Sequence, residues 1–533
     1  MFEEFARGSF RLTRFVFRRE RLRILIWIAG LAGLSLFVPI VYSQILLSAG
    51  GTHGLYLAMQ NPAMIAMVGP TAAGIDTYTV GAMNVHMMIV FMAMAVAVMN
   101  ILMVVRHTRR DEELGRQEVI RSLPVGHMAP LNATIIMVVL VNLVLGAVIG
   151  LGLSLLGIGS IDLAGSMLYG LSLAAVGIVF AGIAAVFAQL SQTATGAVGW
   201  SMSFMIGSYL LRAVGDMNNE TLSLISPLGL VMRTDAAVNN YWWPVWILIT
   251  IAIVLFVKAI WLNSMRDMGS GFIPARSGRA RASRLLVRPM GLSLRLVRGT
   301  MIAWAVGLVL LGASYGSIMG DTEQFSSIIA QVTGGSTDAR DFVSILMRVM
   351  AVCATIPCLI IALKLRSEEK HGRMEGLLAT PVSRWKIFSS YLIPSLVFSV
   401  AAPTLAVLGL WGASVTVMAT PIPLGDMLHA VLVFLPAIWF TVGLAAVLIG
   451  IWPKRTSLVW AFLTFSFLVI YMGEMLKAAF TNFPTWIIQL TPFGHVSQSL
   501  IEPTNYTPLV ITFAAAVVLL VIGCCTYKRR DMI

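Results

Sequence analysis

Charge is scarce in this chain. Only 11% of its 533 residues are Asp, Glu, Lys or Arg, against 58% hydrophobic residues and a mean hydropathy of +0.87. A soluble protein carries about 25% charged residues, so a water-soluble fold is excluded. A G-x-x-x-x-G-K-[ST] phosphate loop is also missing. The nearest approach, "GIWPKRTS" at 450–457, lacks the glycines that expose backbone amides to a phosphate, and no soluble stretch is long enough for a nucleotide-binding domain. Cysteine is sparse. Cys353, Cys358, Cys524 and Cys525 lie in or at the ends of apolar runs, without the paired spacing of a zinc site or a disulfide framework. The seven histidines are scattered, so no metal site is expected. The apolar runs are nearly free of acids and bases; Arg212, Glu474 and Lys477 fall only near the run ends expected to face outside.

What remains is oil in long pieces. A spanning helix needs roughly 20 mostly apolar residues, and about twelve such runs occur. They lie near 22–44, 84–105, 131–156, 167–188, 195–212 and 243–262, then near 301–318, 342–364, 388–411, 427–450, 457–473 and 507–527. The expected fold is an all-α polytopic membrane protein. The first run follows an arginine-rich leader without a small-residue cleavage site, which reads as an anchor and not as a removable signal. Basic residues concentrate in residues 1–23, in the 106–130 loop, in 258–300 (nine basic residues against Asp267) and in the final "YKRRDMI", whereas 45–83 has no lysine or arginine. Alternating spans put every basic segment on one side, expected to be the cytoplasm, with both termini there. The net charge of +13 then reflects topology and anionic headgroups, and no nucleic acid partner is implied.

The chain is written twice. "RRDEELGRQEVIRSLPV" at 109–125 and "RSEEKHGRMEGLLATPV" at 366–382 share seven identities at a shift of 257. Arg109, Glu112, Gly115, Arg116, Glu118, Pro124 and Val125 correspond to Arg366, Glu369, Gly372, Arg373, Glu375, Pro381 and Val382. Both copies follow the second span of their half. The leaders repeat at a shift of 277: Arg7, Arg11, Arg18, Arg21 and Trp27 match Arg284, Arg288, Arg295, Arg298 and Trp304. "SPLG" at 226–229 matches "TPFG" at 491–494, and "RDM" closes each half at 266–268 and 530–532. Two parallel six-span repeats are therefore expected, 1–268 and 284–533, joined by a glycine- and arginine-rich linker at 269–283.

Arg7, Arg11, Arg14, Arg18 and Arg21 are spaced for one helical face, with Phe5, Leu12 and Val16 roughly opposite. This pattern suits a helix lying in the headgroup layer before the chain turns into its first span. Its copy keeps the stripe, although Pro289 and Gly291 should break or bend it. The repeated charged segment is a different object. Glu112 and Arg116, like Glu369 and Arg373, are four apart and can pair on a helix surface. Arg109 and Arg366 lie three residues earlier and extend the ladder. Pro124 and Pro381 stop the helix, and Gly115 and Gly372 offer bare backbone to a partner. A segment repeated with the same charge order reads as a docking surface presented twice.

These residues carry a resemblance. The pattern E-x-x-G-R-x-E, then six residues, then P-V, placed after the second span, resembles the first cytoplasmic coupling helix of type-2 ABC (ATP-binding cassette) exporter permeases, and the leader resembles their interfacial elbow helix. The fused twelve-span form, with "RHTRRDEELGRQE" and "EEKHGRMEGLLATPVSR", most resembles exporter permeases of polyketide antibiotics. The likeness covers essentially the whole chain. It implies that two copies of a separate ABC ATPase subunit, which would hold the ATP and magnesium, dock on 109–125 and 366–382. It also implies that a hydrophobic or amphipathic substrate leaves between the two bundles, and that this chain binds no cofactor and is no enzyme itself. The first copy departs at "RSLPVGHM", where the second has "LATPVSRW". A twelve-span secondary transporter is the main alternative, and a non-transporting membrane scaffold the other. Spans two, five, eight and eleven would line the pathway, with Met88, Met92, Trp200, Phe204, Trp460 and Phe465 as candidate residues and Tyr209 and Tyr471 as further aromatics. Methionine-rich surfaces adapt to varied ligands.

Overall fold

With few charges and no water in the bilayer core, every backbone amide must be satisfied within its own segment, which leaves helices as the available element. A computed structural model of the chain bears this out. It describes residues 7–48, 56–57, 59–60, 62–218, 220–273, 281–319, 339–418, 420–479, 486–496, 500 and 504–530. Among the described residues, extended pairing is limited to an isolated bridge between Ser191 and Ile273. Phe5 and the last two residues of the second "RDM" lie outside the described residues, as do the side chains of Arg284, Tyr471, Glu474 and Lys477.

The chain divides into two compact units, Met1–Ser277 and Gly278–Ile533. The first contains six long helices: α1 (Ser9–Ser48), α2 (Val80–Val105), α3 (Ala129–Ser154), α4 (Leu163–Leu190), α5 (Ala194–Asn218) and α6 (Trp243–Met265). The second contains α7 (Pro289–Ile318), α8 (Ala339–Lys370), α9 (Arg384–Val417), α10 (Leu424–Ile451, with a turn at Val433 and Phe434), α11 (Leu458–Ala479) and α12 (Tyr506–Arg529). Ten of these are long and apolar enough to cross a membrane; α5 and α11 occupy the places of the two other expected spans.

The leader does not turn into the first span. Residues 9 to 48 form one helix of 40 residues, about 60 Å at roughly 1.5 Å per residue. The reason is local: from Ser9 to Ile28 the sequence has no proline or glycine, so nothing interrupts the hydrogen-bond ladder. In the second unit the expected break is present. Residues Arg284–Val287 form a 3-10 turn and α7 starts with Pro289 as its first residue, where the missing amide costs nothing.

In the first unit α2 and α4 form the centre and α6 is the most outward-facing. Helices in lipid gain little from apolar attraction and rely on close backbone approach and on polar pairs. Both devices occur here. Gly170 of α4 packs directly on the Gly146 carbonyl of α3, so that an added methyl would overlap it. Asn100 of α2 and Asn142 of α3 exchange amide hydrogen bonds of 3.0 and 2.7 Å, with both side chains fully buried. In the second unit α8 and α10 are the most buried spans, and Gly312 and Gly316 of α7 lie against the backbone of α9 at Ala406 and Leu410. Prolines interrupt α8 at Pro357 and α9 at Pro394 and Pro403. Polar links there include Ser395 Oγ of α9 donating to the Cys358 carbonyl of α8 at 2.7 Å, buried, and the part-buried Trp439 Nε1 donating to Ser399 Oγ at 2.7 Å.

Gly170→Ala should part α3 from α4, because the overlapped atom is backbone and cannot rotate away. Overpacking of this kind costs about 1–3 kcal/mol. The expected outcome is a lowered unfolding temperature of the detergent-purified protein, measured by thermal-shift fluorescence, with Gly199→Ala on open surface as the silent control.

Candidate functional site

The charged repeat begins as an extension of α2. The helix continues through a π-turn, Arg106–Arg110, and a last turn, Asp111–Glu113, and stops at Gly115, whose φ of +68° is left-handed. A short helix, Arg116–Arg121, follows and ends before the exposed Pro124. In the second unit α8 runs to Lys370, Gly372 takes φ +69°, and a short helix, Met374–Leu378, ends before Pro381. The positive φ is why glycine stands at both positions: a side chain there would be strained.

This stop overturns the expected ladder. Glu112 does not meet Arg116, nor Glu369 Arg373, because the helix that would align them has ended. Arg116 folds back to Asp111 at 2.9 Å, and Arg373 to Glu368 at 3.2 Å. Glu112 and Glu369 turn inward instead. Arg109, only 1% exposed, meets Glu112 at 3.0 Å, and Arg266 at the end of α6 meets the same carboxylate at 2.7 Å. The Gly269 amide donates to the other Glu112 oxygen at 2.7 Å. Arg109 also donates to the Gln192 carbonyl between α4 and α5 at 2.6 and 2.9 Å and to the Gly269 carbonyl at 3.2 Å. The second unit repeats the arrangement. Arg366 meets Glu369 at 3.3 Å and donates to the Pro453 carbonyl between α10 and α11 at 2.8 Å, while Arg530 meets Glu369 at 2.8 Å.

Arg266 and Arg530 are therefore members of these charged clusters that the sequence reading left unassigned, although "RDM" was visible as a repeat. The first residues of the expected linker are likewise not free: Gly269 is part of the site, and Ile273 donates to the Leu190 carbonyl at 2.9 Å. Glu113 accepts the Ala194 amide at 2.7 Å at the start of α5. In the first unit the repeat thus ties together one end each of α2, α4, α5 and α6.

The outer face of the same segment is open. Glu118, Pro124, Glu375 and Pro381 are exposed, as are Leu114, Val119 (69%) and Leu123 beside Glu118 and Trp385 beyond Pro381. An exposed apolar group rimmed by charge marks a surface that meets something other than water. Leu114, Val119 and Leu123 had no periodic signal, since they straddle the left-handed glycine and the helix end.

The leader arginines Arg7, Arg11, Arg14, Arg18 and Arg21 are exposed, as are Arg288, Arg295 and Arg298 in the copy. The pathway candidates separate. Trp200 and Phe204 are exposed on α5, where Phe187 lies 6.4 Å from Trp200 and 6.5 Å from Phe204 between ring centres. Phe465 is exposed on α11, and Trp460 is half-buried against the core of its unit. Met92 is 2% exposed inside the first unit and lines no open surface; Met88 is partly buried beside it. Among the described residues no group of His, Cys, Asp or Glu could hold a metal ion.

Two comparisons bear on this arrangement. Residues 12–262 and 286–528 match the family model described as multidrug efflux system permease Rv1217c, C-terminal domain. The chain is also 31% identical over 545 residues to the multidrug efflux system permease protein Rv1217c of Mycobacterium tuberculosis (strain ATCC 25618 / H37Rv), an alignment covering 98% of this chain and 95% of that protein.

The inward and outward carboxylates should behave oppositely. Glu112→Ala leaves Arg109 and Arg266 buried without their shared partner, a loss of about 3–5 kcal/mol for a buried pair. It should depress membrane yield and thermal stability. Glu118→Ala, on the open face, should change neither by more than about 0.5 kcal/mol. Fluorescence-detected size exclusion of the two variants provides the comparison.

Proposed function

The chain belongs to the family of the multidrug efflux system permease Rv1217c, and from that premise we propose that it is the membrane subunit of an ATP-driven exporter. Two copies of a separate ABC ATPase subunit, which bind the ATP and magnesium, dock on residues 109–125 and 366–382. The observation that carries this reading is the division of each repeat into an inner face that grips the ends of the spans and an outer face left to solvent. A force applied to Glu118 or Glu375 is delivered through Glu112 or Glu369 to several transmembrane helices at once. By the positive-inside rule the arginine-rich ends, and with them both termini, face the cytoplasm. The cargo is a hydrophobic or amphipathic compound, consistent with the exposed aromatic face at Trp200 and Phe204 and with the scarcity of charge along the spans.

A second reading, an ion-coupled carrier, would draw on one buried ion pair. Arg212 is fully buried in α5 and pairs with Asp216 at 3.3 Å. The same arginine also donates to the Ala66 and Met67 carbonyls at 2.7 and 3.1 Å, and Arg233 lies 3.8 Å from Asp216. A guanidinium held by this many fixed partners supports a structural tie at this position. Export that stops when a protonophore is added at constant ATP, and that is abolished by Asp216→Asn, would favour the carrier.

The docking reading is tested with Glu118→Lys and Glu375→Lys. Both side chains are exposed, so expression should stay near wild type. At a partner surface a charge reversal can cost several kcal/mol, and ATPase co-purification and transport should both fall. Each single variant should retain one ATPase subunit and the double variant neither, measured as subunit ratio after purification. Full association and transport in the double variant would show the faces to be solvated loops.

A further inference from the structure

Residues 7–23 do more than flank the first span. Arg7, Arg11, Arg14, Arg18 and Arg21 run along one exposed face, and Phe10 (82% exposed), Phe15 and Leu22 stand beside the stripe. Water leaves those three apolar side chains bare, and hydrocarbon would bury five guanidiniums. The face suits contact with a layer of anionic headgroups. The stripe directly precedes, in the same helix, an apolar run able to cross the membrane.

The opposite face of this helix is a splint along the first charged repeat. At one end the Gly126 amide donates to the Arg7 carbonyl at 2.9 Å, and Gly8, with φ +88°, lies against Val125. At the other end Arg19 holds Asp111 through two hydrogen bonds of 2.8 Å. Glu20, buried beside them, takes Arg106 at 3.2 Å and Arg23 at 2.7 Å. Both ends of the repeat are thus fastened to one helix. The second unit is built differently. There Glu368 is held by Lys364 at 3.1 Å and by Arg373 at 3.2 Å from its own segment, and Ser293 of the leader copy bonds the Ser390 carbonyl on α9.

From this asymmetry we infer that the front of α1 is a receptor for anionic phospholipid headgroups, and that occupying it stiffens residues 106–126 while leaving 366–382 unaffected. Five arginines spaced one turn apart repel one another; headgroups relieve that repulsion and hold the helix to the surface. Because Arg19 shares one unbroken helix with Arg11, Arg14 and Arg18, and Arg7 lies in the turn that leads into it, fixing the front of the helix fixes the repeat on its back. The consequence for transport, a lipid-dependent docking of the first ATPase only, rests on the docking reading above; the stiffening does not.

The test uses the full chain alone, in nanodiscs of phosphatidylcholine or of phosphatidylcholine mixed with phosphatidylglycerol, read by hydrogen–deuterium exchange. With the anionic lipid, amides of 106–121 should exchange about tenfold more slowly or better, since each basic residue at such a surface contributes on the order of a fivefold factor. Amides of 366–378 should exchange alike in both lipids. The triple variant Arg11→Gln, Arg14→Gln, Arg18→Gln should lose the response while exchanging like wild type in pure phosphatidylcholine. The double variant Arg7→Gln, Arg21→Gln should weaken it. Arg19→Gln should uncouple 106–113 from the lipid, and Arg19→Lys should restore part of the protection. Inorganic phosphate added to phosphatidylcholine discs should do nothing. Equal exchange in both lipids, an undiminished response in the triple variant, a matching response at 366–378, or reproduction by phosphate would each overturn the inference. None of these outcomes depends on an ATPase, so the docking reading stands or falls separately.

Discussion

A carboxylate shared between two guanidiniums organises each half of this protein. Glu112 is nearly sealed from solvent and accepts from Arg109, Arg266 and the Gly269 amide. A buried charge is tolerable only with its partners in place, and these partners come from segments up to 157 residues apart. Spans in lipid slide against one another with little apolar penalty. The ends of α2, α4 and α6 therefore take their register from this knot, and Glu369 with Arg366 and Arg530 does the same for α8, α10 and α12. The apolar cores fill the space that the knots define.

The knot also explains what the linear sequence did and did not make legible. Span positions were plain, since a run such as 167–188 is apolar whatever surrounds it, and α4 adds only a few residues at each end. The repeat was plain too, because identities at matching places need no geometry. Pairing inside the repeat was not. The Glu112–Arg116 ladder presumed a helix through Gly115, and a glycine three residues after an acid reads equally as helix interior or as left-handed stop. Arg266 carried a signal, the "RDM" that closes both halves, yet nothing local says that an arginine at the end of the sixth span reaches back to the second. The unbroken α1 was misread because its charge pattern changes at residue 22 while its helix propensity does not.

Within one unit, the same seventeen residues present an inward and an outward face, and the left-handed glycine lies near the boundary between them. Arg109 and Glu112 before it bind helix ends; Glu118 and Pro124 after it are exposed. This division leaves the outer side chains open to change with little cost to the fold, while the inner ones are tied to several helices. The halves are not equivalent in stiffness. The first carries the Asn100–Asn142 amide pair between α2 and α3, whereas the corresponding spans of the second contain Pro357, Pro394 and Pro403. Broken backbone ladders bend more easily than intact ones.

The length of α1 has one more consequence. Before Gly30 the helix has no glycine or proline to hinge on, so its arginine-bearing end tilts together with the first turns of the apolar run. A bilayer that thins or thickens changes the tilt of a spanning helix at a cost of fractions of a kcal/mol per Å of mismatch. In a rod of about 1.5 Å rise per residue, a small change of angle at the start of the apolar run becomes a displacement of several Å at Arg11. Such a displacement reaches the rest of the first unit through the Arg19–Asp111 pair, where the helix is fastened to the charged repeat.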